Sequence, residues 1–337
     1  KTFTNFVPQF ASMTAFEDIL HSIAPELKEL NERMRHALHT SNPLMNEIVS
    51  NYLTTKGKQI RPVMVLLSAK LFGGINGTAL HGAAAIEMLH NASLIHDDVV
   101  DETPLRRGRP TINTIWDNHI AVLVGDFFVS MALQEALLTG NLDIASTIGA
   151  LGRQLSLGEI DQINKARNHH LEEEAYMEVI DNKTASLFVA CVRMGAIATE
   201  APREDAERME QFGRLIGLAF QIRDDIFDYF PDSHDLGKPT GNDLREGKVT
   251  LPLLYALHRT GIDDCAAMNE LVRRDELNSE EIDTLIEYAR RAGGIDYAYA
   301  TMQRLRDEAV DIISYFPESS TRTAFISIFD YIIHRTY

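Results

Sequence analysis

An all-α fold is what this sequence predicts, and three observations carry the expectation. Apolar residues recur at three- and four-residue spacing through 77–102, 117–139, 142–166, 171–199 and 205–230, the period of helices that bury one face. No stretch sustains the period-two alternation bounded by turn residues that marks a strand. Two copies of one acidic signature, Asp97-Asp98-Val99-Val100-Asp101 and Asp224-Asp225-Ile226-Phe227-Asp228, each close a long apolar helical run. The expectation is a single large bundle of about ten or more helices joined mostly by short turns.

The elements follow from the breaks between them. Lys56-Gly57-Lys58-Gln59-Ile60-Arg61-Pro62 is a basic loop entering a helix whose first turn admits Pro62. Gly73-Gly74 and Asn76-Gly77 separate that helix from the one ending in the first signature, and Pro104 and Gly108 to Pro110 mark the loop beyond it. Gly140-Asn141 divides the next two helical stretches, Pro202 precedes the helix of the second signature, and Pro231 and the segment 237–247 follow it. No solenoid period is present, and two similar helix ends do not establish a duplication.

At 337 residues the chain has the length of two average domains, yet no Ser/Gly/Pro-rich linker or charge block divides it. A single domain over 1–337, with its core motifs in 56–252, is expected. A net charge of −17 argues against a nucleic-acid partner bound through its phosphates. Cys191 and Cys265 have neither metal-ligand spacing nor partners for a disulfide framework, which suits a reducing cytosol. The first residues lack a basic-then-apolar signal pattern, and no uninterrupted apolar run has the length of a membrane span. A soluble, cytoplasmic protein is the expectation.

On a helix the first and fifth residues of each signature lie within about 40° of one another, so Asp97 and Asp101 share a face, as do Asp224 and Asp228. Carboxylates at the end of an apolar wall repel one another unless cations neutralise them. Mg²⁺ suits such a wall: it prefers oxygen ligands, takes one or two carboxylates and completes its shell with water and substrate phosphates. Two such walls would hold a diphosphate between them. One acidic cluster alone is more often a solvated face; two copies, each followed by basic residues, reverse that reading.

Arg106 and Arg107 follow the first signature, and Lys238 and Lys248 follow the second. Arg offers phosphate a planar donor fork and Lys a compact charge. Together with the basic loop before Pro62, two cation sets suggest two anions. Lys183-Thr184 interrupts an apolar helix, where an unpaired Lys is costly unless it snorkels to the surface. His90 and Gln221 each lie close to a signature, and taken alone either reads more often as a satisfied core residue. Leu89, Ser93, Asp97 and Asp101 form one stripe at four-residue spacing, and a cavity below the metals would run along it.

These residues resemble the trans-isoprenyl diphosphate synthases, the head-to-tail prenyltransferases of isoprenoid biosynthesis. The ordered pieces are Gly57-Lys58, Arg61-Pro62, Leu89-His90, Ile95 to Asp98 with Asp101, Arg106-Arg107-Gly108, Gly125-Asp126, Lys183-Thr184, Phe220-Gln221 with Asp224, Asp225 and Asp228, Gly237-Lys238 and Gly247-Lys248. The resemblance implies the isoprenoid synthase fold, a helical bundle around a deep central cavity, and Mg²⁺ bound by Asp97, Asp101 and Asp224, about three ions per site. It implies that Asp98, Asp225 and Asp228 support those ligands. Arg106, Lys183, Thr184, Gln221, Lys238 and Lys248 would hold the allylic diphosphate, with Lys183 also counted as catalytic. Lys58, Arg61, His90 and Arg107 would hold isopentenyl diphosphate. Gln59 departs from the Gly-Lys-Arg run of many members. Homodimerisation and transient membrane contact for product release are further family expectations.

The implied reaction is ionisation of the allylic C–O bond, attack by the double bond of isopentenyl diphosphate, and proton loss to the released diphosphate. A terpene cyclase would need one diphosphate site and a different second metal motif. An HD-type phosphohydrolase, suggested by His96-Asp97, would need further His ligands, for which His81 and His90 have no matching downstream arrangement. A noncatalytic subunit of a heteromeric synthase would be expected to lose motif residues, and both carboxylate sets are intact. Ala92 and Ser93 are small where large aromatics stop chain growth in this family, so a long product of about C30 to C50 is expected. Leu89 and Phe128 are candidates for the deeper wall. A shorter product at the geranylgeranyl or farnesyl level is the alternative.

Overall fold

A computed structural model describes residues 7–54, 57–167, 171–230, 240–259, 264–274 and 276–335. Along them run α1 (Val7–Ser22), α2 (Ala24–Ala37), α3 (Pro43–Leu53), α4 (Ile60–Phe72), α5 (Gly77–Val100), α6 (Ile112–Ile115), α7 (Asn118–Leu138) and α8 (Leu142–Arg167). Then come α9 (Glu173–Ile180), a π-helical turn (Asp181–Ala185), α10 (Ser186–Ala198), α11 (Arg203–Phe227), α12 (Asn242–Arg245), α13 (Leu251–His258), α14 (Cys265–Leu271), α15 (Ser279–Arg291), α16 (Gly294–Ile313) and α17 (Ser320–His334). The predicted helical stretches match α5, α7, α8 and α11 to within a few residues. The stretch 171–199 differs, because the π turn divides it into α9 and α10.

Side-chain caps fix several starts. Asn76 accepts from Ala79 N (2.9 Å) at α5, Asp117 from Ile120 N (2.8 Å) at α7, and Asn278 forms a capping box with Glu281 at α15. The loop after the first signature is a small hairpin, β1 (Leu105–Arg106) antiparallel to β2 (Arg109–Pro110). Its two turn residues, Arg107 and Gly108, both have positive φ, as a two-residue hairpin turn requires. Nothing in the apolar pattern announced this hairpin, since it buries no face of its own.

α5 is central: it packs along α7 and also meets α4, α8 and α10. α10 packs on α4 and α11, α11 on α16, and α1 on α17. Phe128, Phe188, Phe212, Phe325 and Phe329 are fully buried. Close approach of helices is set by glycine: a Cβ at Gly195 of α10 would collide with the Val65 carbonyl of α4, and one at Gly125 of α7 with the His96 imidazole of α5. His96 instead meets the Val122 carbonyl (3.2 Å) and Asp126 (3.5 Å). α7 is long and apolar enough to cross a membrane by length and composition, although Asp126 and Glu135 interrupt it. Its inner residues Val124, Phe128, Ala132 and Ala136 are buried, while Leu123, Leu133 and Leu137 face outward.

Candidate active site

The C-terminal ends of α5 and α11 open on one cleft of about 310 Å³, walled also by α8, α9, the π turn and the segment 243–250. Asp97 and Asp101 both line it, as their shared face predicts. Burial pushes the Asp97 carboxyl up to about 6 against the pull of Lys183. Asp98 points elsewhere: it is buried and takes Nε (2.8 Å) and Nη2 (2.7 Å) of Arg106 on its Oδ1. Arg106 is thereby held in the cleft wall.

The second signature divides its tasks differently. Asp225 lines the cleft, accepting from Gln221 Nε2 (2.7 Å) and Tyr176 OH (2.7 Å), while Thr184 Oγ1 donates to Gln221 Oε1 (2.6 Å). One hydrogen-bonded chain thus joins the π turn, α11 and α9. Burial raises the Asp225 carboxyl to about 7. Asp228 caps the short α12, accepting from the backbone of Asn242 (2.9 Å) and Asp243 (3.0 Å). That anchors the segment carrying Lys248, whose Nζ sits 2.5 Å from Glu246 and 3.9 Å from Asp101. Asp224 does not line the cleft; it is ion-paired with Arg335, which follows α17.

Of the cations expected around an allylic diphosphate, Arg106, Lys183 and Lys248 all line the cleft with Thr184 and Gln221. Lys238, like Lys56, Pro231 and Gly237, lies outside the described residues. Of the second set only Arg107 lines a cleft, with His90 and Lys58 close enough to feel its charge. The Arg61 guanidinium lies over the rings of Phe188 (5.4 Å) and Phe220 (5.3 Å), and its Nε is buried without a hydrogen-bond partner. Burial, with Arg61, Arg107 and Arg106 nearby, holds His90 well below the usual imidazole range and therefore neutral. Burial and Arg335 lower Lys58 to about 8. Arg107 closes against Gly57, where a Cβ would meet its guanidinium. A smaller cleft of about 180 Å³ carries Gly57, Arg107 and Asp98 and shares Arg106 and Leu94 with the first.

None of the residues expected to govern chain length lines either cleft. Ala92 and Phe128 are fully buried, Phe128 packing edge-on to Tyr52 (5.7 Å). Ser93 bonds the His90 carbonyl (2.9 Å), and the Leu89 side chain faces Gly152 of α8. Of the expected stripe below Asp97, Leu89 is therefore packed against α8, while Ser93 is half-buried and bonded within its own helix.

Among the described residues no three His, Cys, Asp or Glu side chains converge into a metal cage. The donor set still fits Mg²⁺, which takes few carboxylates and relies on substrate phosphates: Asp97 and Asp101 face a cleft that also presents Arg106, Lys183 and Lys248. Sequence reasoning passed over Glu159, Tyr176, Asp243 and Arg335. Glu159 is ion-paired with Lys183, Tyr176 and Asp243 line the cleft, and Arg335 covers Asp224. The one available signal was that Lys183 needed a partner.

The helix ends of this all-α bundle bring carboxylates and cations to one cleft, an arrangement suited to a diphosphate. The chain matches the polyprenyl synthetase family over residues 42–289 and belongs to it. It is a trans-prenyltransferase. It is 33% identical over 325 residues to an octaprenyl diphosphate synthase of Haemophilus influenzae, covering 96% of this chain and 98% of that protein. A polyprenyl synthase of Caulobacter crescentus, solved with calcium and isoprenyl diphosphate, superposes with a TM-score of 0.89 at 30% identity, covering 96% and 98% of the two chains. A geranylgeranyl pyrophosphate synthase of Bacteroides thetaiotaomicron superposes at 0.82 with 34% identity, covering 96% and 100%.

Proposed function

We propose that the protein condenses isopentenyl diphosphate with an allylic diphosphate, head to tail, to make a long all-trans polyprenyl diphosphate with release of diphosphate. The observation that carries this reading is a cleft walled by Asp97, Asp101 and Asp225 together with Arg106, Lys183 and Lys248, which adjoins at Arg106 a smaller cleft carrying Arg107. Asp97 and Asp101 would hold Mg²⁺ in the cleft, about three ions by the family pattern, with Asp98, Asp225 and Asp228 in support; Asp224 is assigned to the metal by resemblance alone and would have to exchange Arg335 for it. When bound there, Mg²⁺ would supply positive charge to the departing diphosphate.

The chain's own residues do the rest. Arg106, Lys183 and Lys248 neutralise charge developing on the leaving oxygens, and Thr184 and Gln221 orient that group. Lys238 is assigned here by resemblance alone. Lys58, Arg61 and Arg107 anchor the diphosphate of isopentenyl diphosphate, and neutral His90 donates a hydrogen bond to it. Holding both substrates this way places the double bond beside the allylic carbon as its C–O bond ionises. The apolar wall below keeps water from the cation, and the released diphosphate takes the proton. The chain acts as one domain, and we propose that it pairs with a second copy through the outward apolar face of α7, Leu123, Leu133 and Leu137.

Ala92 and Ser93 support a long product of about C30 to C50, because neither side chain would block a tail as an aromatic ring would. A shorter product is favoured by the tight packing of Ala92 and Phe128. The test is incubation with Mg²⁺, an allylic primer and labelled isopentenyl diphosphate, with products sized by reverse-phase chromatography. Polyprenyl products beyond about C30, shortened by Ser93→Phe, support the long-chain reading; arrest at about C15 or C20 in the wild type refutes it. Absence of any condensation refutes the reaction.

A further inference from the structure

Lys183 is already neutralised in this structure, by a residue with no assigned role. Glu159 lies on α8, where Gly158 brings the helix against the π turn so closely that a Cβ there would sit 3.3 Å from Lys183 N. Glu159 Oε2 is in ion-pair contact with Lys183 Nζ. The same oxygen is buried and accepts no aligned hydrogen bond, so that one ammonium is its whole compensation. Gln162, one turn on, accepts from Lys183 Nζ (3.4 Å) and reaches Glu159 Oε1 (3.5 Å). Lys183 and Gln162 face the cleft, and the Glu159 charge also helps raise Asp97.

We propose that Glu159 is a resident anion that occupies Lys183 until a diphosphate displaces it, and that it thereby sets how readily diphosphate leaves. The inference rests on the reading of Lys183 as a diphosphate ligand. An ammonium is a compact charge on a flexible stem, able to swing between two anions a short distance apart. When Lys183 turns to a diphosphate, Glu159 keeps only the neutral amide of Gln162, and a partly buried carboxylate left under-compensated is costly. That cost weakens the hold on diphosphate and favours its release after each condensation, which a synthase adding many units must repeat. A simple strut between α8 and the π turn would behave oppositely, since its removal would loosen the site and weaken binding.

The test is isothermal titration of inorganic diphosphate at fixed Mg²⁺ into wild type, Glu159→Gln, Lys183→Met and the double variant, with melting temperatures recorded for each. Glu159→Gln is expected to bind diphosphate about tenfold tighter, with product inhibition strengthened in parallel, and the gain is expected to vanish in the Lys183→Met background. Glu159→Asp, whose carboxylate is drawn back by one methylene, is expected to fall between wild type and Glu159→Gln and serves if the amide variant does not fold. Unchanged or weaker binding by these variants overturns the proposal, as does equal tightening without Lys183. A wild type that binds no diphosphate refutes the site reading itself, whereas a wild type that binds while Glu159→Gln gains nothing refutes this inference alone.

Discussion

Replacing Asp98 with Asn separates two roles that the first signature combines. Asp98 is buried and receives two donors of Arg106 on one oxygen, at 2.8 and 2.7 Å. Hydrogen bonds between charged groups are each worth about 1.5 to 3 kcal/mol. The Asn oxygen still accepts one of them and Arg106 keeps partial access to water, so the net loss in holding Arg106 is about 2 kcal/mol. At 1.36 kcal/mol per decade that is a fall of about thirtyfold in kcat/KM for the allylic substrate. Initial rates with labelled isopentenyl diphosphate, varying the allylic primer and Mg²⁺ separately, measure it. The Mg²⁺ concentration giving half-maximal rate should stay near wild type in Asp98→Asn and rise in Asp97→Asn. Asp98→Asn combined with Arg106→Ala should be no worse than Arg106→Ala alone. Additive losses, or a shifted Mg²⁺ requirement in Asp98→Asn, would refute the reasoning.

Three other outcomes are expected. Gly125→Ala forces a methyl against the His96 ring and should cost about 1 to 3 kcal/mol of stability by thermal melting; His96→Ala in the same chain should recover most of it. Tyr176→Phe removes the 2.7 Å hydrogen bond to buried Asp225 and should lower kcat by about tenfold, with the KM for isopentenyl diphosphate little changed; an equal rise in that KM would contradict the separation of the two sites. Burial raises the Cys191 thiol far above its ordinary range, so brief alkylation of the native protein, read by peptide mass spectrometry, should modify Cys265 and spare Cys191.

Much of this protein can be read from its one-dimensional pattern. Helical period is local, so α5, α7, α8 and α11 are legible to within a few residues, and the i, i+4 spacing alone puts Asp97 and Asp101 on one wall. The basic residues around the signatures were legible as candidate diphosphate ligands, and their order along the chain carried the family resemblance.

Tertiary structure decided which partner each group meets, since that depends on elements distant in sequence. Asp98 turns away from Asp97 to hold Arg106, Asp228 caps α12, and Asp224 is met by Arg335 from 111 residues further on. No spacing rule reaches that far. The π turn and the Arg107–Gly108 hairpin were invisible for the opposite reason: each is a short local change of backbone geometry, five residues in the π turn and two at the hairpin tip, that leaves the apolar period on either side intact. Whether the small residues Ala92 and Ser93 border open space or a packed neighbour was likewise a question of what other helices place beside them: Ala92 is fully buried, while Ser93 is half-buried.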